Sequence, residues 1–442
     1  MAIWWSFLVV EMVQLVFVQA LVRRRHIATL LLLPVFKGSY FCDLYAEKRP
    51  PGTCNGYFPP IWGWMLGDPH LKTLDGVSYT FNGLGEYTLV QVDDDFFKLQ
   101  GRTARAITKN GTMSQATVFV AFAAKQQNSS TVQVKLTDDG TDYDVLVDGE
   151  LFNKTFLDDQ PFTPNGTNVS MSLKQEESTV GSGAKVRFVA SFTSKMSISI
   201  GVAEKMLDVL FSAPEEFKGR VTGLLGFWDG DPTNDFKLPD GNIKQPTGDN
   251  FTDAEYFEFG QQWNISANQS IFWYEEGKSW SDYNDPTFEP LFLDELIDNY
   301  EREDPAYLSK VRSNCGDDQE CLFDSLATER EEIGLLTRNS STQIRQQQTD
   351  LGNFPPNVTI EGSSLLEVEV GKAVSLKLDA TDPNPGDTIT YMLADPVLGA
   401  HITQGKIIIL HIQNILSTET WLQNRSNSDQ IEANILFFLN RW

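Results

Sequence analysis

Two short stretches of this chain carry residue types whose spacing permits chemistry. In the first, Asp68 is followed by Pro69 and His70. An aspartate side chain can attack its own main-chain carbonyl and close a cyclic anhydride. The tertiary nitrogen of proline leaves well once protonated, strain at the bond assists, and His70 is placed to deliver the proton as general acid. Acid pH favours such a self-cleavage. The dipeptide alone is weak evidence, because Asp-Pro recurs at Asp231, Asp285, Asp304, Asp382 and Asp395. In the second stretch, Asp229, Asp231, Asn234 and Asp235 crowd oxygen atoms onto one loop, with Asp229-Gly230 and Asp231-Pro232 turning it sharply. Calcium takes six to eight oxygens, so these four side chains, with carbonyls such as that of Trp228 and water, form a candidate calcium site. The same composition also makes an ordinary acidic turn. A third acidic run, Asp379 to Asp387, reads better as a polar loop than as a metal site.

The segments that position these residues are mainly β. Val77–Phe81, Tyr87–Val92, Thr117–Ala123, Thr131–Leu136, Tyr143–Val147, Lys185–Phe192 and Met196–Val202 are expected strands, with Asn110-Gly111, Asp139-Gly140 and Asp148-Gly149 as turn signals between them. Short strands at close spacing imply a sandwich or barrel-like domain. Helices are expected over Leu291–Tyr300, from Asp304-Pro305 to Val311, and from Gln319 to about Gln348; the stripe Leu293, Leu296 and Ile297 reads as core. β pattern returns at Leu365–Val370, Val374–Leu378 and Ile389–Leu393, as in the first half of an immunoglobulin- or cadherin-like sandwich that stops short.

The net charge is −25, which excludes a nucleic-acid face built on clustered Lys and Arg. Asn-x-Ser/Thr occurs at Asn110, Asn128, Asn153, Asn165, Asn168, Asn250, Asn264, Asn268, Asn339, Asn357 and Asn424, which is 11 sites among 24 Asn residues. Random placement gives about three, so the excess points to the secretory pathway and to loops that face solvent. The cysteines are Cys42, Cys54, Cys315 and Cys321. Three pairings are open; a local Cys315–Cys321 loop is favoured, and the partners of Cys42 and Cys54 are not fixed. No hydrolase, phosphate-loop or zinc-protease motif is present, so the chain reads as a non-enzyme apart from the self-directed Asp-Pro chemistry.

Gly67-Asp68-Pro69-His70, followed by Thr73-x-Asp75-Gly76-x-x-Tyr79-x-Phe81, resembles the opening of a von Willebrand factor type D (vWD) domain. Gly223-Leu224-Leu225-Gly226-Phe227-Trp228-Asp229-Gly230 resembles a later block of the same domain, although Phe227 stands where Asn is common. Position 85 is Gly and position 225 is Leu, where many vWD domains carry Cys. Their joint absence is what a lost pair would leave, and it resembles the cysteine-poor branch of mucin-4-like membrane mucins and their sushi-domain relatives. Cys42, Arg49-Pro50-Pro51, Cys54 and Tyr57-x-Pro59-Pro60 are similar to the end of an AMOP domain, which precedes vWD in that branch. The segment around Cys315 and Cys321 is similar to the one that follows it. The resemblance implies calcium at the 228–236 loop, and breakage at Asp68-Pro69 with the halves remaining associated.

The expected organisation is an apolar segment 1–38, readable as signal peptide, signal anchor or spurious start; an AMOP remnant at 39–61; a vWD domain at 62–275; a helical segment with the Cys pair at 276–353; an immunoglobulin/cadherin-like domain at 354–412; and an unassigned tail at 413–442. The expected function is an extracellular mucin-like adhesion or structural module. Its vWD domain, stabilised by calcium, would associate with itself or with other extracellular or cell-surface proteins. Membrane attachment would come through the N-terminus or through segments outside this chain. The alternative is a secreted glycan-binding or hydrolytic β-sandwich.

Overall fold

The computed structural model describes residues 61–67, 69–93, 95–176, 185–352, 354, 357–361, 373–387, 392–393, 400–403, 407–411 and 437–438. Residues 59–353 form one compact unit. Its strands in chain order are β1 (Trp62–Leu66), β2 (His70–Lys72), β3 (Ser78–Thr80), β4 (Glu86–Val92), β5 (Phe97–Ile107), β6 (Met113–Gln126) and β7 (Val132–Leu136). They continue as β8 (Tyr143–Val147), β9 (Glu150–Leu151), β10 (Val169–Glu176), β11 (Lys185–Phe192), β12 (Ser197–Ala203), β13 (Met206–Ser212) and β14 (Val221–Thr222). Two seven-stranded antiparallel sheets result, in the orders β10-β11-β12-β13-β1-β2-β3 and β14-β4-β5-β6-β7-β8-β9.

The sheets face each other across one apolar core. Phe81, Tyr87, Phe97, Phe119, Phe122, Phe188, Phe211, Trp228 and Phe259 are its largest sealed aromatic side chains. Each such ring contributes about 1.5–3 kcal/mol by leaving water. Leu225 lies in the same core and packs against the backbone of Gly63 on β1, where an added Cβ would meet a Leu225 methyl at 3.1 Å.

This corrects the expected pairing of positions 85 and 225. The Leu225 N–H donates to the carbonyl of Leu89 at 3.0 Å, whereas Gly85 lies just before β4 beside Asn264 and Asn284. Four residues of extended chain separate positions 85 and 89, a distance of about 13 Å. Cysteines at 85 and 225 could not have bridged, since a disulfide holds its Cα atoms within about 7 Å. Position 63 is the geometric partner of 225.

Helices α1 (Asp253–Gln261), α2 (Leu293–Glu303), α3 (Pro305–Cys315), α4 (Gln319–Thr328) and α5 (Glu331–Leu351) follow. Thr252 and Glu255 form a capping box at the start of α1, and Asp304 with Pro305 opens α3. The single helix expected from Gln319 to Gln348 is two helices, because Glu329 takes a left-handed conformation (φ 56°) and reverses the chain. Cys315 and Cys321 are disulfide-bonded between α3 and α4. Leu296 is buried in this helical cluster, with Leu293 and Ile297 half-buried against it, so the stripe is core.

The helices dock on the sandwich. Ile344 of α5 packs with Trp64, Leu66 and Leu210, and Ile333 packs with Ala106, Val118 and Met206. The segment 270–284 is clamped by Arg102 of β5. Its guanidinium lies 4.4, 5.1 and 3.7 Å from the ring centres of Phe272, Tyr274 and Tyr283, and its Nε donates to buried Glu86 at 2.9 Å.

The second unit includes residues 354–442. Its described residues hold a four-stranded antiparallel sheet of Asn357–Glu361, Ala373–Thr381, Ile407–His411 and Ala400–Thr403 in that spatial order, and a short pair of Met392–Leu393 with Phe437–Phe438. The expected segments 1–38 and 39–60, with Cys42 and Cys54, lie outside the described residues, as do Asp68, Leu365–Val370 and Asn424.

Candidate functional site

Leu66 of β1 stands directly opposite His70 of β2, so residues 67–69 form the whole connection between the two strands. Both ends of that connection are pinned. The carbonyl of Pro69 accepts the Phe81 N–H at 3.0 Å. Gly67 has φ 62°, and a Cβ there would lie 2.6 Å from both Asp324 Oδ2 and Thr337 Oγ1, so glycine is needed for conformation and for space. Asp68 itself is outside the described residues.

His70 is buried at 3% exposure, and both ring nitrogens are engaged. Nε2–H donates to Asp324 Oδ1 at 2.7 Å, and Nδ1 pairs with the Thr80 hydroxyl at 2.9 Å. The other oxygen of Asp324 accepts from the Thr337 hydroxyl. The ring also meets the edge of Phe323 at 5.9 Å between centres. Asp324 is wholly buried in α4, the one charged residue in the sealed run Cys321–Thr328. Burial raises the pKa of the Asp253 carboxyl, while a backbone hydrogen bond at Leu293 and the charge of His70 oppose that rise.

The acidic loop lies between β14 and α1. Asp235 has no exposed surface. Its Oδ2 accepts from the Thr73 hydroxyl at 2.7 Å, while its Oδ1 is buried without a hydrogen-bond partner. Burial pushes this carboxyl up to about 7 against the help of Thr73, and the charges of Asp75, Asp229 and Asp231 push the same way. The carbonyl oxygen of the Asn234 side chain is likewise buried and unpartnered, and its amide donates to Asp229 Oδ2 at 2.9 Å. Asp75 accepts the N–H groups of Asp229 and Gly230 at 2.9 and 2.8 Å. Asp231 caps the short 3-10 turn Pro232–Asn234, with its Oδ1 taking the Thr233 N–H and hydroxyl. The Trp228 carbonyl accepts the Gly219 N–H, and Lys237 sits over the Phe227 ring at 3.8 Å.

Asp235 and Asn234 therefore fit a cation: each carries on this loop a buried oxygen with no hydrogen-bond partner. Asp229 and Asp231 are engaged in bracing the loop itself. Among the described residues, no group of three or more His, Cys, Asp or Glu side chains stands close enough to hold a metal unaided. The acidic run 379–387 is tied into its own unit, where Asp382 accepts the Asn384 N–H and Asn384 accepts the Phe354 N–H.

Comparison with known proteins matches residues 63–242 to the von Willebrand factor type D domain and residues 301–350 to the Mucin-4-like C8-3 domain. The chain is 34% identical to human (Homo sapiens) Mucin-4 over 358 residues, which is 78% of this chain and 6% of that protein. It is 32% identical to human Sushi domain-containing protein 2 over 314 residues, 69% of this chain and 35% of that protein. It is 29% identical to Protein mesh of Bombyx mori over 324 residues, 69% of this chain and 20% of that protein. This is a vWD-domain protein with a mucin-4-like C8-3 domain.

The vWD domain supplies His70 and the acidic loop, and the C8-3 domain supplies Asp324 and Thr337. The chain spans between 6% and 35% of the length of the relatives named above. Its likeness to membrane-bound and secreted mucins places it at a membrane or outside the cell. Among the described residues no helix is long and apolar enough to cross a membrane. Asn110, Asn128, Asn153, Asn165, Asn168, Asn250, Asn264, Asn268, Asn339 and Asn357 of the vWD-domain protein are all exposed.

Sequence reasoning missed Asp324, Thr337, Thr80, Thr73 and Asp75 as site residues. One signal was available: Asp324 interrupts an apolar helical run, Cys-Leu-Phe-Asp-Ser-Leu-Ala, and a charge in such a place is rarely buried without a partner.

Proposed function

We propose that this chain is an extracellular mucin-type adhesion and structural module that cleaves itself at Asp68-Pro69 and stays together afterwards, with calcium bracing the loop at 229–235. The observation that carries this reading is the position of β1. It is an interior strand, paired with β13 over Trp62–Met65 and with β2 over Trp64–Leu66. It also packs through Trp64 and Leu66 on Ile344. A break between residues 68 and 69 therefore leaves the upstream fragment held by two ladders and a buried face. A scaffold that must bear two chain ends yet remain one body has this design.

In the cleavage, a side-chain oxygen of Asp68 bonds to its own main-chain carbonyl carbon. The bond from that carbon to the Pro69 nitrogen breaks, and the nitrogen keeps the electron pair and takes a proton from the imidazolium of His70, whose ring must first release Asp324 or Thr80. Water then opens the anhydride to a C-terminal Asp68. When calcium is bound, Asp235 and Asn234 would supply side-chain oxygens, with Asp229 adjoining, and the ion would neutralise the carboxylates gathered there. The partners proposed are other cell-surface or extracellular proteins, or a second copy of the chain.

The test is a denaturing gel of purified protein held near pH 5.5, beside Asp68→Ala. Two fragments that co-elute under native conditions, absent in the variant, are expected. A wild-type chain that stays whole refutes the cleavage. Calorimetry with calcium tests the loop: heat of binding in wild type and none in Asp235→Ala is expected.

A further inference from the structure

We propose that the N-linked glycan of Asn153 is seated on the protein, with its innermost N-acetylglucosamine lying on Leu151 and Phe156 and shielding both from water. Leu151 and Phe156 are each 69% exposed, the highest value for a large apolar side chain among the described residues. Single exposed apolar side chains need no explanation, but their placement here does. Of the seven such side chains, Ile107, Met113, Leu151, Phe156 and Phe162 lie within three residues of an Asn-x-Ser/Thr asparagine. Such stretches make up about a fifth of residues 59–353, so an even spread would give about one or two. The pattern holds whether or not the chain is cleaved or binds calcium.

Local structure brings the three groups together. β9 ends at Leu151, the Phe152 N–H still bonds the Val145 carbonyl at 2.7 Å, and Asn153 keeps extended backbone at φ −75° and ψ 102°. Alternate residues of an extended strand share a face, so Leu151 and Asn153 point one way, and Phe152, against Phe162, points the other. The chain then turns. The Phe156 N–H donates to the Asn153 carbonyl at 3.3 Å, a three-residue step at which 3-10 side chains eclipse, so Phe156 stands beside Asn153 as well. Buried Leu157 anchors the turn, and Lys154 ties it to both oxygens of Asp142 at 2.7 and 2.8 Å. Asn153 Oδ1 accepts the Thr155 N–H at 3.0 Å, which fixes the amide plane, and among the described residues nothing accepts from its Nδ2. The Nδ2 of Asn264, by contrast, donates to both the Glu86 carbonyl and Asn284 Oδ1. In the attachment, Asn153 Nδ2 gives up one hydrogen as a proton and bonds the anomeric carbon of an oligosaccharide carried on a polyprenyl diphosphate, which leaves with the bonding pair. The ring substituents of N-acetylglucosamine are equatorial, so its axial C–H bonds form an apolar face that fits an aliphatic or aromatic side chain.

The experiment uses the full chain secreted from glycosylating cells. Peptide mass spectrometry reads occupancy at Asn153, and the fluorescence of anilinonaphthalene sulfonate reads exposed apolar surface. Thr155→Ala abolishes the acceptor signal, keeps Asn153 and removes only an exposed hydroxyl. Dye fluorescence at least about twofold above wild type is expected. Adding Leu151→Thr and Phe156→Thr to that variant should return it to the wild-type level. Ser130→Ala abolishes the Asn128 site, which has no large exposed apolar side chain within three residues, and should leave the signal unchanged. Trimming native wild type to a single N-acetylglucosamine with an endoglycosidase should keep the signal low, and removing the whole glycan with an amidase should raise it. Wild type unoccupied at Asn153 overturns the proposal. So does Thr155→Ala with a wild-type signal, a rise as large in Ser130→Ala, or a rise on trimming that equals full removal. If Thr155→Ala is not secreted, the two enzymatic arms on wild type decide.

Discussion

Replacing Asp235 by Asn should reverse the order of stability between wild type and variant according to whether calcium is present. Without metal, the folded state holds a sealed carboxyl whose pKa is pushed from 3.8 up to about 7, with burial as the main cause. A folded-state pKa above the unfolded value means the native chain binds more protons than the unfolded chain between about pH 4 and pH 7. Stability from this group is therefore fully present below the unfolded pKa and is lost as pH rises through that window. About three pH units at 1.36 kcal/mol each set a ceiling of roughly 4 kcal/mol, and about 2 kcal/mol remains after allowance for solvent screening near the loop. Asn is isosteric, stays neutral, and can still accept from Thr73. In chelator at about pH 8 the variant should be about 2 kcal/mol more stable than wild type, and the gap should close toward pH 4. With calcium at about a hundredfold over its dissociation constant, wild type gains about 2.7 kcal/mol and the variant does not, so wild type leads. Urea titrations of both proteins with chelator or calcium, at the two pH values, measure all of these terms. A variant less stable by the same amount in every condition would refute the reasoning, because Asp235 would then be a packing residue and not a charge awaiting a cation.

Three further outcomes are expected. Arg102→Ala should destabilise the chain by about 3–5 kcal/mol in urea, because it leaves the buried Glu86 carboxylate without its cation and removes the guanidinium that lies against Phe272, Tyr274 and Tyr283; Arg102→Met with Glu86→Gln should recover most of the loss. Gly67→Ala should cost about 2–3 kcal/mol by thermal melting, the sum of a left-handed backbone and overpacking against Asp324 and Thr337. Cys315→Ser with Cys321→Ser should lower stability by about 2 kcal/mol, the loop-closure value for so short a ring, with hydrogen exchange rising first in α3 and α4.

What could be read from the chain was what is local. Asp148 and Gly149, at φ 49° and 85°, turn β8 into β9 as the dipeptide suggests. The matching turn from β12 to β13 uses Glu204 and Lys205 at φ 48° and 68°; neither residue signals a turn, so β13 was not anticipated. β5 was missed because buried Gln100, Arg102 and Thr103 break its apolar pattern, and their partners at Gln269, Glu86 and Gly83 are set by the fold. The helix break at Glu329 was hidden for a related reason. Glu, Arg and Ile continue a good helical sequence there, and it is the docking of α5 on the sandwich that turns the chain.

The candidate sites divide along the same line. Asp229, Asn234 and Asp235 lie within one turn of loop, so their nearness in the chain was legible, but Thr73, which holds Asp235, is 162 residues away. His70 was singled out by its place after Asp68-Pro69, yet its partner Asp324 lies 254 residues on. Six Asp-Pro bonds are equal by composition, and context alone can make one of them reactive. Beside Pro69 the surroundings are a carbonyl paired with the Phe81 N–H, a His70 ring engaged at both nitrogens, and a second domain whose Asp324 carboxylate takes one of them. A motif that names one domain is thus completed by a residue of the next. This arrangement requires the vWD and C8-3 domains to fold as one body, as the docking of α5 on β1 allows.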